Sequence, residues 1–174
     1  MSLKELTAAK HAEAETTGLM KSVFAGTIKI DTWADFTWQK ILFYGGIERR
    51  AKVAGYLDDL PGIERTQKLY NDFMGMTNPE EKGKHRYTIE TQDYYRYISE
   101  CDDKQILAHL YVWHMGDMFG GQMIKKLISA PHSSLIFEDQ KTLMTNLRAK
   151  LDDSLGDEAN VAFDWAIKIM RNYD

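Results

Sequence analysis

The sequence has one cysteine, three prolines and no apolar run long enough to cross a bilayer. A lone thiol, Cys101, excludes an internal disulfide. It fits a reducing compartment and reads as a small packed side chain. Scarce proline leaves long stretches free to run as helix. The longest apolar stretch, Ile106 to Met115, is broken by His109 and His114 and is too short for a span. Met1 to Leu6 is amphipathic and lacks the apolar core of a signal peptide, and Met170 to Asp174 carries no hydrophobic tail. The expectation is a cytoplasmic protein that does not use a membrane. Charge of one sign is missing too. With 22 Lys and Arg against 26 Asp and Glu, the net charge is -4, and no basic run offers a nucleic-acid footprint. No HExxH or CxxC spacing supports zinc, and no Walker loop or strand-linked GxGxxG supports a nucleotide.

What is present is helical periodicity. Hydrophobic residues make up 44% and charged residues 28% of 174 residues, the balance of one globular domain. No linker divides residues 1–174, so the fold class read from the pattern is all-α, in a single domain. A first helix is expected over residues 2–17, ending near Gly18. A second runs from Thr32 to Leu57, N-capped by Asp31 and bent at Gly45-Gly46. A third starts at Pro61, a residue suited to a first helical turn, and reaches Met74. Residues 75–90 read as a loop or short helix, and Thr91 to Glu100 as a helix. Asp102-Asp103 cap a helix that passes Gly116 and ends before Pro131. Two more, over 134–153 and 157–172, meet at Gly156.

The segment Gly116-Asp117-Met118-Phe119-Gly120-Gly121-Gln122 stands out because it places glycines inside a strong helical pattern. Each costs about 1 kcal/mol relative to alanine, against a domain stability of roughly 5–15 kcal/mol. Something should offset that cost. Gly116 and Gly120 are four apart and share a face, a bare stripe that admits another surface to backbone distance. Gly120-Gly121 also allows a kink. Close helix packing accounts for the stripe equally well. Asp117 favours a ligand site, because a carboxylate among apolar neighbours needs a hydrogen bond or water. Of five histidines, His11 has small neighbours, and Glu15 is placed one turn on to fix its tautomer. His109 and His114 are rivals as metal ligands. His85 and His132 read as surface residues.

His11-x-x-x-Glu15 followed about a hundred residues later by Gly116-Asp117-x-x-Gly120-Gly121-Gln122 resembles the haem oxygenases. The similarity is densest over Ala108 to Lys126 and extends faintly from Lys4 to Phe163. It implies a multi-helix bundle with haem sandwiched between a proximal N-terminal helix and a kinked glycine-rich distal helix. It implies that His11 is the proximal ligand of the haem iron, with Glu15 as its partner. Gly116, Gly120 and Gly121 would cover the distal haem face. Asp117 would order distal water and act through it rather than as a direct base, with Tyr44 taking part. Lys4, Tyr111 and Arg148 would lie near the propionates, and Phe163 would wall the pocket. The implied reaction converts haem, which is both substrate and cofactor, with O2 and electrons from an external reductant. The products are biliverdin, by default the IX-alpha isomer, carbon monoxide and ferrous iron. A soluble donor such as ferredoxin or flavodoxin and a monomeric enzyme complete the expectation.

Two positions depart from that pattern. Trp113 stands where many relatives carry an arginine of the distal network. Met144 stands where relatives often have a propionate-binding lysine, for which Lys141 or Lys150 could substitute. These departures keep open a non-catalytic haem-binding or haem-storage protein on the same scaffold. A third reading is a haem-free helical enzyme of the thiaminase-like or quinone-cofactor kind.

Overall fold

The computed structural model describes residues 1–174 and contains ten α-helices and no strand. In order they are α1 (Leu3–Glu15), α2 (Gly18–Phe24), α3 (Ile30–Val53), α4 (Thr66–Met76), α5 (Pro79–Lys82), α6 (Ile89–Glu100), α7 (Asp103–Leu110), α8 (Gly116–Leu127), α9 (Gln140–Arg148) and α10 (Gly156–Met170). The 24-residue α3 is the central column, packed by α4, α6 and α7. Its buried face, including Phe36, Phe43, Tyr44 and Ile47, recurs at helical spacing and carries the core. α1 packs along α10, and α2 touches both α1 and α8. No helix is long and apolar enough to cross a membrane.

Caps explain most boundaries. Ser2, Thr17, Asn78, Thr88 and Asp139 each accept a backbone N–H three residues on. Asp102 forms a full capping box with Gln105, so the expected cap at Asp102-Asp103 is met.

Two local expectations fail for identifiable reasons, at Asp31 and Pro61, and two others are refined. Asp31 is not a cap: α3 already starts at Ile30, with Lys29 preceding it. Gly45-Gly46 does not interrupt α3. A Cβ at Gly46 would lie 3.2 Å from the Tyr95 ring, so this glycine admits α6 rather than breaking the helix. Pro61 does not start a helix. Pro61-Gly62 is a turn whose glycine has φ +82°, the left-handed position that proline–glycine turns require, and α4 waits until Thr66. Finally, the irregularity before the glycine-rich helix lies at Tyr111–Met115, a single π-helical turn. α8 runs regularly through Gly120-Gly121. A π turn is an established source of helix kinks, so Tyr111–Met115 is a further place, beside the paired glycines, for the distal helix to bend.

Candidate active site

The glycines of α8 point to different surroundings. A Cβ at Gly116 or at Gly120 would meet nothing within 4 Å, whereas one at Gly121 would lie 2.9 Å from Leu135 Cδ2. Gly116, Phe119, Gly120 and Met123 form an exposed strip. Gly121 is buried, and beside it Gln122 donates from Nε2 to the Leu135 carbonyl at 2.9 Å. The expectation that all three glycines line one open face is therefore corrected. Gly116 and Gly120 are one turn apart and share the open side, while Gly121, a hundred degrees on, seats the short helical turn Ser133–Leu135. Asp72 holds that turn from below. Its two oxygens accept the amides and hydroxyls of Ser133 and Ser134 at 2.6–2.9 Å.

At the edge of the bare strip the Tyr44 hydroxyl donates to Asp117 Oδ2 at 2.7 Å. Tyr44 is fully buried on α3, so it fixes the carboxylate from inside the core. Asp117 Oδ1 takes no hydrogen bond from the protein. Burial raises the Asp117 carboxyl above the usual range, a rise that Lys40, Tyr44, His114 and Arg65 only partly offset. Tyr44 is pushed well above its ordinary value by burial and by the Asp117 charge, so it stays a donor.

His11 projects from α1 with 62% of its side chain exposed, its Nδ1 lying 3.3 Å from Glu15 Oε1. The Phe163 ring of α10 meets the imidazole edge-on, centroids 5.7 Å apart. Nδ1 lies against Glu15, while Nε2 has no protein partner and sits in an accessible place. The other histidines differ. His109 and His114 have no exposed side-chain surface, and their Nε2 atoms are tied to Glu158 at 2.7 Å and Glu48 at 2.6 Å. Neither can rival His11 as an external ligand. His85 is not the surface residue expected: its side chain is 14% exposed and its Nδ1 lies 3.0 Å from Asp35. His132 turns back on the Ala130 carbonyl.

Lys4 and Arg148 are exposed and Tyr111 is half-buried. The Arg148 guanidinium lies over the ring of Phe119, 5.2 Å from its centroid, which brings it next to the bare strip. Gln140, Lys141, Met144, Thr145 and Arg148 line one open depression. Lys150, by contrast, is held by Asp59 at 2.6 Å, which leaves Lys141 as the lysine that shares the depression with Arg148.

The family model described as "Heme oxygenase" matches residues 1–145. The chain belongs to the haem oxygenase family. It is 23% identical to the "Heme oxygenase" of Rhodella violacea over 98% of this chain and 85% of that protein. The structure of "heme oxygenase-1 from cyanobacterium Synechocystis sp. PCC6803 in complex with heme" superposes with a TM-score of 0.83 at 20% identity, covering 99% of this chain and 90% of that one. That of the heme oxygenase from Leptospira interrogans gives 0.82 at 24% identity, covering 99% and 100%. The all-helical fold read from the sequence is thus the family's fold.

The chain carries supports that its sequence alone did not reveal. Glu48 accepts from His114 Nε2, from the backbone N–H of Arg65 and from Thr66, the last two through different oxygens. Burial alone would raise the Glu48 carboxyl, but these donors more than offset it and hold it below the usual carboxylate range. Arg65 is 1% exposed; it donates to the carbonyls of Ser134 and Ile136 and lies 3.9 Å from the Phe137 ring centroid. Trp113, the departure beside the glycines, turns away from Asp117. Its indole N–H donates to the Tyr94 hydroxyl at 2.9 Å, and that hydroxyl meets His109 Nδ1 at 2.7 Å. Cys101, His109 and Glu158 have ligand-type atoms within 4.8 Å of one another. Both His109 nitrogens are satisfied, and Tyr97 and Gln105 fill the Glu158 oxygens, so the cluster is a closed polar network. Burial pushes the Cys101 thiol up to about 12, which keeps it protonated. None of these partners is adjacent in sequence, and only the Glu48 position carried a signal, as a carboxylate inside an apolar helix face.

Proposed function

We propose that this haem oxygenase opens haem to biliverdin, carbon monoxide and ferrous iron, with the IX-alpha isomer as product and a soluble donor such as ferredoxin or flavodoxin supplying electrons. The observation that carries the reading is the Tyr44–Asp117 hydrogen bond of 2.7 Å at the edge of a helix face left bare by Gly116 and Gly120. A flat macrocycle can approach that face to backbone distance, as no side chain could allow.

The residues present fit haem. His11 offers Nε2 to the iron, while Glu15 at Nδ1 sets the ring's tautomer and orientation. Phe163 abuts the imidazole, and Arg148 with Lys141 supplies positive charge for propionates. Bound haem supplies the iron chemistry of oxygen activation. The protein's part is to position and to move protons. Asp117 Oδ1 is free to hold water, and a carboxyl with raised proton affinity exchanges protons with that water more readily than an ordinary aspartate. Asp117 then works through water. Tyr44 fixes the carboxylate without releasing its own proton.

The test is reconstitution with haemin, then incubation with ferredoxin, its reductase and NADPH in the presence of catalase. One-to-one binding with a histidine-type Soret band should give way to bilin absorption, and chromatography should identify the alpha isomer. Haem held intact would favour storage. A Soret band unchanged in His11→Ala would remove the assigned ligand, and normal bilin yield in Asp117→Ala would remove the water-ordering role.

A further inference from the structure

Trp113 of the π turn, Tyr94 of α6, His109 of α7 and Glu158 of α10 meet in one chain of hydrogen bonds. The Trp113 indole N–H reaches the Tyr94 hydroxyl at 2.9 Å, that hydroxyl meets His109 Nδ1 at 2.7 Å, and His109 Nε2 meets Glu158 Oε2 at 2.7 Å. Tyr94 and His109 have no exposed surface. Counting donors fixes the direction of each bond. An indole nitrogen only donates, so Trp113 fills one acceptor position of the Tyr94 oxygen, and His109 Nδ1 is the acceptor left for the tyrosine proton. Were the imidazole to donate there instead, a fully buried O–H would go unpaired, at a cost of about 1–3 kcal/mol. Tyr94 therefore donates to Nδ1, and His109 gives its own Nε2–H to Glu158. Glu158 also accepts from Tyr97 at 2.7 Å and from Gln105 at 3.1 Å. Burial would raise its carboxyl, yet these donors hold it below the usual carboxylate range, so it is ionised.

Tyrosine, imidazole and carboxylate in that order are equipped for more than packing. A phenol that loses an electron becomes a strong acid, and its oxidation in a dry core needs a base already at hydrogen-bond distance. His109 is that base, and Glu158 stabilises the imidazolium that forms. The surrounding rings offer a path for the electron. On one side Tyr94 touches Trp113, whose ring lies 5.7 Å from that of Tyr44, the residue that holds Asp117 at the bare strip. On the other side Tyr94 stacks on Trp165, centroids 5.4 Å apart and planes at 17°, and Trp165 lies 5.7 Å from Tyr97. Trp165 and Tyr97 are half-buried, so oxidisable rings in contact run from the strip to the surface.

We propose that Tyr94 is a redox-active tyrosine, with His109 as its proton acceptor, that carries oxidising equivalents from the haem site through Trp113 and out toward Trp165 and Tyr97. The oxidant is haem that hydrogen peroxide has oxidised and whose oxidising power is not spent on the macrocycle. One electron leaves Tyr94 through Trp113 for that oxidant, and the phenolic proton moves 2.7 Å to His109 Nδ1. The product is a neutral tyrosyl radical beside an imidazolium paired with Glu158. An electron from the external reductant, entering through Trp165 or Tyr97, and return of the proton from Nδ1 restore the resting pair. The relay spares the site from oxidising its own walls.

The role toward haem rests on the haem oxygenase reading, whereas the redox pair is tested without haem. In the ligand-free protein, flash oxidation by photoexcited tris(bipyridine)ruthenium with persulfate, followed by freezing and EPR, should give a neutral tyrosyl signal that outlasts those of exposed tyrosines and forms more slowly in D2O. Tyr94→Phe keeps the ring and should remove that long-lived signal. His109→Gln should lower its yield about a hundredfold, the low end of what a positioned base contributes. A long-lived signal unchanged in Tyr94→Phe, or a yield unchanged in His109→Gln, would overturn the assignment. Where either variant melts lower than wild type, electron–nuclear double resonance on the wild-type radical decides. Exchangeable protons bonded to the phenoxyl oxygen from both His109 and Trp113 support the relay, and their absence overturns it. In the haemin complex, hydrogen peroxide should raise the same tyrosyl signal, and Tyr94→Phe should replace it with oxidised Trp113 in the peptide map. Equal oxidation of Trp113 in both chains would overturn the outward route. A chain that gives the flash signal but binds no haemin would instead fell the functional reading alone.

Discussion

The two walls of the proposed site are built differently. On α1 the proposed ligand histidine is mostly exposed and is steadied by a single 3.3 Å contact with Glu15, itself 49% exposed, and by one aromatic edge. On α8 the strip of bare backbone is braced from behind by Tyr44, by the Glu48–His114 pair, and by a turn clamped through Gln122, Asp72 and Arg65. Exposed pairs on a helix are worth a few tenths of a kcal/mol, and buried ones cost several when broken. The contrast suits the proposed reaction, in which the α1 wall would settle onto the iron while the α8 wall presents a fixed surface. Stability and ligand binding should therefore separate by wall.

The sharpest break is predicted at Glu48. Its removal strands His114, the Arg65 amide and the Thr66 hydroxyl in the core, so Glu48→Ala should lose about 3–5 kcal/mol, read as a fall in the denaturation midpoint. Glu48 also gives a pH signature. Its carboxyl titrates lower when folded than the 4.5 of the free group, so its stabilisation is complete well above pH 4.5 and is lost as pH falls through the folded value. Glu48→Gln should flatten that acid-side loss in urea midpoints measured from pH 6 to pH 3. A variant that keeps the wild-type slope would show that Glu48 is not its source.

His11→Ala tests the opposite wall. The side chain is exposed and loosely tied, so the denaturation midpoint of the ligand-free protein should stay within about 0.5 kcal/mol of wild type. The haemin complex should lose its histidine-type spectrum and at least tenfold in affinity, and added imidazole should recover part of the spectrum. A large loss of stability without ligand would mean that α1 is braced as firmly as α8 and would erase the contrast.

How much of this was legible beforehand follows the same division. Features that are local in sequence could be read: the His11–Glu15 spacing, the Gly116–Gly120 stripe and the Asp102 cap each depend on residues within one or two turns. The resemblance carried Tyr44 to Asp117 across 73 positions, which spacing alone could not do. The braces were illegible because they join distant segments: Glu48 to His114 and Arg65, Arg65 to residues 134–136, Asp72 to Ser133 and Ser134. The π turn escaped notice because nothing in Tyr111–Met115 breaks helical propensity. At Pro61 proline's suitability for a first helical turn is outweighed by the glycine after it, which makes a turn instead.

The smallest expected effect is also the most discriminating, because it compares neighbouring glycines. A methyl at Gly121 would meet Leu135 at 2.9 Å and press on a turn fixed by four hydrogen bonds from Asp72's partners. The Leu135 tip can give, so overpacking falls at the low end of about 1–3 kcal/mol, and removing a helix-interior glycine returns about 0.5–1 kcal/mol, so Gly121→Ala should cost about 0.5 kcal/mol. A methyl at Gly120 meets nothing and removes a helix-interior glycine, so Gly120→Ala should raise stability by about 0.5–1 kcal/mol. Haemin affinity should move the other way at Gly120, falling as the side chain intrudes on the face the macrocycle needs, and Gly120→Leu should lower it further without loss of fold. Paired denaturation and haemin titrations on the two alanine variants read both signs. Equal destabilisation of the two would show that the strip at Gly120 is closed by packing, and the bare-face argument for the ligand would go with it.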